Sequence, residues 1–263
     1  MNLHFLIIDP QNDFAHPQGN LFVPNADKDA ERLSAMLKRH ESKIEDVHIT
    51  LDTHHFVDIA HPIFWVDTQG KHPAPFTSIT ETEVLEGKWR ATHAGCQERA
   101  LAYVKALESS GRYALTIWPP HCLIGQHGHN IVQPLVDVLT SWENQFAMVD
   151  YVTKGSNMWT EHYSAVQADV PDPEDPSTQL NTSLIDTLQQ ADLIALSGQA
   201  LSHCVANTIR DIANNFGDEN IQKMVLIEDT SSSVAGFEEL GEQFVAEMTA
   251  RGMRTAKSHE FLV

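Results

Sequence analysis

Two groups of residues have the types and spacing to do chemistry. Cys204 follows the apolar run 193–198 and a turn of small and polar residues, Gly198-Gln-Ala-Leu-Ser-His203. After it, Val205, Ile209, Ile212 and Phe216 recur at helical spacing, so the thiol falls in the first turn of a helix. Unpaired backbone N–H groups and the positive end of the helix dipole favour the thiolate there, which is the nucleophilic form. Ser202 or His203 is the expected cap. Asp9 ends the apolar run 3–9, where partial desolvation raises a carboxyl pKa and suits a group that takes and returns a proton. Lys154, before Gly155, also ends a strand-like run, and beside the other two its charge would lower the thiol pKa and hold the carboxylate. Nucleophile, proton shuttle and electrostatic partner would then stand together. Taken singly, each has a plainer reading: a buried structural cysteine, a turn-forming aspartate, a solvated lysine.

The second group is Asp52-Thr-His54, with His61 further on and His121 aimed by Trp118-Pro-Pro. A carboxylate with two or three imidazoles makes a hard-to-borderline divalent site, suited to zinc, iron or manganese. So few protein ligands would leave coordination positions open to water or substrate, the pattern of a functional rather than a structural site. His55, His127 and His129 read as surface residues.

The elements that must position these groups alternate. A helix over 26–43 leads to a strand over 47–52; a helix over 94–109 leads to a strand over 113–118; helices over 131–142 and 181–191 precede or follow strands over 146–152 and 193–198. A strand over 223–228 and a helix through Leu240, Phe244 and Met248 close the pattern. Alternating strands and helices imply right-handed crossovers and a mostly parallel six-stranded sheet covered on both faces, a three-layer α/β/α sandwich. In such sheets ligands bind beyond the carboxyl ends of the strands, where Asp9, Asp52, Trp118 to His121, Lys154 and the turn before Cys204 all fall. Residues 62–90, rich in Pro and Gly without a sustained period, read as a long insertion, a lid or a disordered segment.

The 263 residues suit one domain, 1–263, with that insertion. Net charge of −19, from 36 acidic and 17 basic residues, disfavours nucleic acid or an anionic membrane as partner. No apolar run approaches a membrane span, and the start lacks a basic n-region and small-residue cleavage site. Three cysteines without a CxxC pair argue against a disulfide framework and fit a reducing cytoplasm.

Together the motifs resemble the nicotinamidases of the isochorismatase-like cysteine hydrolase superfamily. The resemblance runs through Leu6-Ile-Ile-Asp9-Pro-Gln-Asn-Asp-Phe14, Asp52-Thr-His54, Trp118-Pro-Pro-His-Cys122, Lys154-Gly, Tyr163-Ser-Ala and Gly198-x-Ala200-x-x-His-Cys204. It implies a catalytic triad of Asp9, Lys154 and Cys204, and one divalent metal held by Asp52, His54 and His121, zinc first with iron or manganese as alternatives. His61 matches the region of a further ligand, one residue out of spacing. Phe14, Trp118 and Tyr163 match substrate-pocket positions, and a cis peptide before Ala200 would turn the N–H groups of Ala200 and Cys204 into an oxyanion hole. The implied activity is hydrolysis of a small amide, nicotinamide to nicotinate and ammonia, through a thioester. The alternatives are a related amidase or carbamoyl hydrolase and a non-catalytic metal-binding relative; self-association into a homo-oligomer is left open. The sequence departs from the family pattern in its long insertion, in Ser202 where an acidic residue is frequent, and in Val166 where an aromatic follows Tyr163-Ser-Ala.

Overall fold

The strand β1, Leu3–Ile8, is buried along its whole length and runs through the middle of the molecule. A strand with both faces covered must be apolar at nearly every position, which Leu-His-Phe-Leu-Ile-Ile satisfies except at His4. The computed structural model describes residues 1–262. In it β1 is joined by β2 (Ile44–Asp52), β3 (Asp150–Lys154), β4 (Leu193–Gly198), β5 (Met224–Ile227) and β6 (Arg254–Ala256) in the order β6-β5-β4-β1-β2-β3. Every pairing is parallel. The chain builds outward from β1 to β3, then crosses back to β4 and builds the other way. That reversal lies between β1 and β4, and ligands in open α/β sheets bind at such a switch point.

Among the described residues six helices have eight residues or more: α1 (Ala26–His40), α2 (Gln97–Ser110), α3 (Gln133–Glu143), α4 (Thr182–Gln189), α5 (Ala206–Phe216) and α6 (Glu238–Ala250), of which α2 packs on Glu81–Leu85 and the short strand pairs of the excursion. α1 packs on α3, while α5 packs on α4 and α6, and the sheet between them makes the expected three-layer α/β/α sandwich. Val205, Ile209, Ile212 and Phe216 all lie in the core, as their spacing requires. Among the described residues no helix is long and apolar enough to cross a membrane.

The strand expected over 146–152 begins only at Asp150 and runs to Lys154, and two further strand assignments differ from expectation. Residues 113–118 do not enter the central sheet: only Leu115–Thr116 pairs, antiparallel to Ser78–Ile79. The N–H groups of Ile117 and Trp118 go instead to Thr77 and Ala60 at 2.8 Å each, so the segment is tied to the preceding excursion, and the place beside β2 is taken by β3. The sixth sheet strand is Arg254–Ala256, a short, polar, largely exposed edge with no apolar run to announce it. Edge strands gain little from burial and so carry little pattern.

The stretch 62–90 is built rather than loose. It holds a turn of 3-10 helix, two two-residue strands and the helix Glu81–Leu85, whose N-terminus carries a capping box between Thr80 and Glu83. Phe76 from this stretch packs edge-on against Trp118, with ring centroids 5.8 Å apart. It backs a wall of the site.

Gly198 ends β4 with φ of 119°, and a Cβ there would stand 2.0 Å from the carbonyl oxygen of Ile8. Neither the dihedral nor the contact can be relieved without parting β4 from β1. Gly198→Ala is therefore expected to cost about 4 kcal/mol or more, or to prevent folding. Urea denaturation of the variant against the parent checks this.

Candidate active site

The carboxyl ends of β1, β2, β3 and β4 bring the first group together. Asp9 follows β1 with φ of 46°, held by its N–H bonded to the Thr50 hydroxyl at 3.0 Å. That hydroxyl donates in turn to Asp9 Oδ1. Lys154, the last residue of β3, places Nζ 3.0 Å from Asp9 Oδ2, 3.0 Å from Asp52 Oδ1 and 3.6 Å from Cys204 Sγ. All four side chains are buried.

Burial sets the electrostatics. It pushes the Asp9 carboxyl up, with the Lys154 charge opposing it. Burial also works against the Lys154 ammonium, but Asp52 and Asp9 outweigh it and hold the pKa well above the ordinary value. The Cys204 thiol is likewise raised well above its usual range by burial, with Lys154 pulling down and Asp9 and Asp52 pushing up. This corrects the expectation of a stabilised thiolate: desolvation and two carboxylates outweigh a helix start. The resting form is a thiol, and a base must take its proton as it attacks.

Cys204 lies in a five-residue π-helical turn, Leu201–Val205, that leads into α5. Neither Ser202 nor His203 caps it. The N-cap position is Ala200, without a side-chain cap bond. Ser202 accepts the Val234 N–H at 3.1 Å and stands 2.8 Å from His203 Nδ1. The peptide Gln199-Ala200 is cis. The Gln199 side chain spans from Asp29 at 3.0 Å to the Ser232 N–H at 3.2 Å, fixing this turn, and the Ala200 N–H has no acceptor among the described residues.

The second group shares Asp52 with the first. Its Oδ2 lies 3.0 Å from His54 Nε2 and 3.4 Å from His121 Nε2, and one ligand atom from each of the three falls within 4.8 Å of the others. His61 is outside that triplet, yet its ring centroid is 5.2 Å from that of His54 and 5.6 Å from that of His121. Each imidazole is anchored through Nδ1: His54 to Asp58 at 3.0 Å, His121 to the Pro119 carbonyl at 2.8 Å, His61 to the Phe56 carbonyl at 3.2 Å. Such outer bonds fix the tautomer of a metal-ligating histidine and free Nε2 for the ion. His61 Nε2 is buried without a partner. The residues fit a divalent ion.

Gln11, Asp13 and Asp58 hold this arrangement. Gln11 clamps the Asp52 backbone through two bonds of 2.7 Å, and Asp13 accepts the Cys122 N–H at 2.6 Å, next to His121. His54 then bonds through its N–H to the Cys122 carbonyl at 3.0 Å. In the sequence Asp13 reads as a turn former, and only its offset from Asp9 hints at more. Of the histidines read as surface, His55 and His127 are exposed, whereas His129 is half-buried and stands 3.0 Å from the Thr53 hydroxyl.

Both groups open on one pocket. Phe14, Trp118 and Tyr163 line it, and Glu161, His162 and His203 join them without a sequence signal beyond their place around Tyr163 and Cys204. The Trp118 indole donates to the Tyr163 hydroxyl at 2.9 Å, locking two walls together. No residue of 62–90 lines it.

Burial depresses the His203 pKa to about 4 and the His162 pKa to about 3, the latter aided by the Lys154 charge. Both pKa values lie below that of the unfolded chain, so this stability is complete above pH ~6.5 and is lost as pH falls toward each folded value. At pH 5 each should cost about 2 kcal/mol. Urea midpoints measured at pH 7.5 and 5.0 should differ less in His162→Gln than in the parent.

No family model and no curated protein matches the sequence. Solved structures do. A nicotinamidase/pyrazinamidase of Acinetobacter baumanii is 22% identical with a TM-score of 0.66, covering 99% of this chain and 98% of its own. The yeast nicotinamidase bound to the inhibitor nicotinaldehyde is 17% identical with a TM-score of 0.68, covering 97% and 99%. A pyrazinamidase of Pyrococcus horikoshii in complex with zinc is 17% identical with a TM-score of 0.57, covering 98% and 99%. At these identities the likeness establishes the fold, over nearly the whole length of both chains.

Proposed function

We propose that the chain is a metal-containing cysteine amidohydrolase that converts nicotinamide to nicotinate and ammonia through a thioester. The observation that carries this reading is the Lys154 ammonium, which touches Asp9, Cys204 and Asp52 at once and so joins a nucleophile to a metal-type cluster across one pocket. Neighbours of the same fold are named for nicotinamide and pyrazinamide hydrolysis, and one is bound to nicotinaldehyde.

Asp9 takes the Cys204 proton as Sγ forms a bond to the amide carbon. The N–H groups of Ala200 and Cys204 receive the oxyanion. As the C–N bond breaks, Asp9 returns the proton to nitrogen and ammonia leaves. A water then gives a proton to Asp9 while its oxygen attacks the thioester; the C–S bond breaks, and the proton returns to sulfur. Lys154 keeps Asp9 in place throughout. Asp52, His54 and His121, with His61 beside them, would hold one divalent ion, zinc suiting the donor set best with iron or manganese as alternatives. When bound, that ion supplies a Lewis-acidic position for a ring nitrogen, directly or through water. Phe14 and Trp118 flank a flat ring between the two ends.

Ammonia release from a panel of amides tests the reading. Nicotinamide is expected to exceed benzamide in kcat/KM by tenfold or more, because benzamide keeps ring and carboxamide but offers no nitrogen. Equal turnover of the two would refute recognition at the cluster, and turnover of aliphatic amides alone would make the protein a different amidase.

A further inference from the structure

A second cluster of metal-ligating groups lies at the opposite end of the sheet from Cys204. His4 on β1 pairs in register with Asp46 on β2, and His48 on β2 pairs with Asp150 on β3. Alternate residues of a strand share a face, so these four side chains form a row across three parallel strands. The two imidazoles are buried, while Asp46 and Asp150 are about half exposed. His4 Nδ1 is 3.0 Å from His48 Nε2; beyond them His4 Nε2 is 3.0 Å from Asn2 Oδ1 and His48 Nδ1 is 2.9 Å from Asp150 Oδ2. Asn2 is oriented by its own amide nitrogen, which donates to the Gln190 carbonyl at 3.2 Å.

Both ends of this chain are therefore acceptors. Three hydrogen bonds need three protons on the four ring nitrogens, and two neutral imidazoles supply only two. Two neutral imidazoles therefore leave one contact of the row unmade, and burial together with the neighbouring His48 lowers the His4 pKa, which disfavours filling the gap with a proton. We propose that His4, His48 and Asp46 form a second divalent transition-metal site, the ion taking the place of the proton between the two rings. One ligand atom from each falls within 4.8 Å of the others. The 3.0 Å between the facing nitrogens is close to the roughly 3.3 Å that separates two ligands of a tetrahedral zinc ion. Asp46 Oδ2 lies 3.5 Å from His4 Nε2 on a half-exposed side chain, and would turn from that ring nitrogen toward Nδ1 to become the third ligand. The outward N–H groups would still reach Asn2 and Asp150, the outer bonds that orient metal-bound histidines. Two imidazoles and a carboxylate suit zinc, nickel or copper over magnesium or calcium.

The test is zinc binding by the full chain after chelator stripping, followed by calorimetry, with crystals soaked in zinc examined for anomalous scattering. In a His54→Ala/His121→Ala background the expected result is one remaining ion per chain, with a peak beside His4 and His48. His48→Gln should abolish it, and Asp46→Asn, at a half-exposed position where folding is not at stake, should weaken it about tenfold or more. No bound ion in that background, a peak elsewhere, or unchanged binding in Asp46→Asn and His48→Gln would show that the pair holds only a proton.

Discussion

Cys204→Ala is expected to reduce amide hydrolysis by about 10⁴-fold or more in kcat, since loss of the nucleophile removes the covalent route and leaves only binding and the oxyanion donors. KM should change little, because the thiol contributes small surface to the pocket. Cys122 is not a substitute. Its thiol is fully buried and raised well above the usual range by burial, with Asp52 and Asp13 adding to the effect and the Lys154 charge opposing it. Steady-state ammonia release in Cys204→Ala, Cys122→Ala and the parent separates the two thiols. Full activity in Cys204→Ala would end the cysteine-hydrolase reading.

The second large effect is expected from the double variant His54→Ala/His121→Ala. It should hold one fewer ion per chain than the parent and lose about a hundredfold or more in kcat/KM for nicotinamide. Asp58→Asn, which replaces the carboxylate bonded to His54 Nδ1 while keeping an oxygen for the Ala60 N–H, should weaken metal affinity by about ten- to a hundredfold. Metal analysis after dialysis, paired with kinetics at saturating zinc, distinguishes an affinity defect from a chemical one. Unchanged metal content in the double variant would place the ion elsewhere.

Much of this was legible in the sequence, for a physical reason. Residues 3–8, 193–198 and 224–227 are largely apolar because both faces of those strands are covered, and Asp9 stands out where the first of them stops, whereas Asp52 and Lys154 end strands of mixed composition. Arg254–Ala256 was not legible because an exposed edge needs no apolar pattern. Residues 113–118 have strand composition but spend it against Ser78–Ile79, a partner that only the path of the long excursion determines. At the site, the reactive groups were visible and their supports were not. Gln11 and Asp58 are polar residues in irregular segments and Asp29 is one of several acidic residues at the start of α1, and nothing local shows that the first grips Asp52, the second His54 and the third Gln199. The raised thiol pKa was also beyond reach, because it depends on burial beside two carboxylates that come from different strands.

The thioester is the central claim, and acid-quenched mass spectrometry during nicotinamide turnover tests it most directly. The account predicts a nicotinoyl group on the peptide that carries Cys204, present in the parent at steady state, increased in a variant slowed in the water step, and absent in Cys204→Ala. Ammonia release by Cys204→Ala at the parent rate, or an adduct on any other residue, would contradict it.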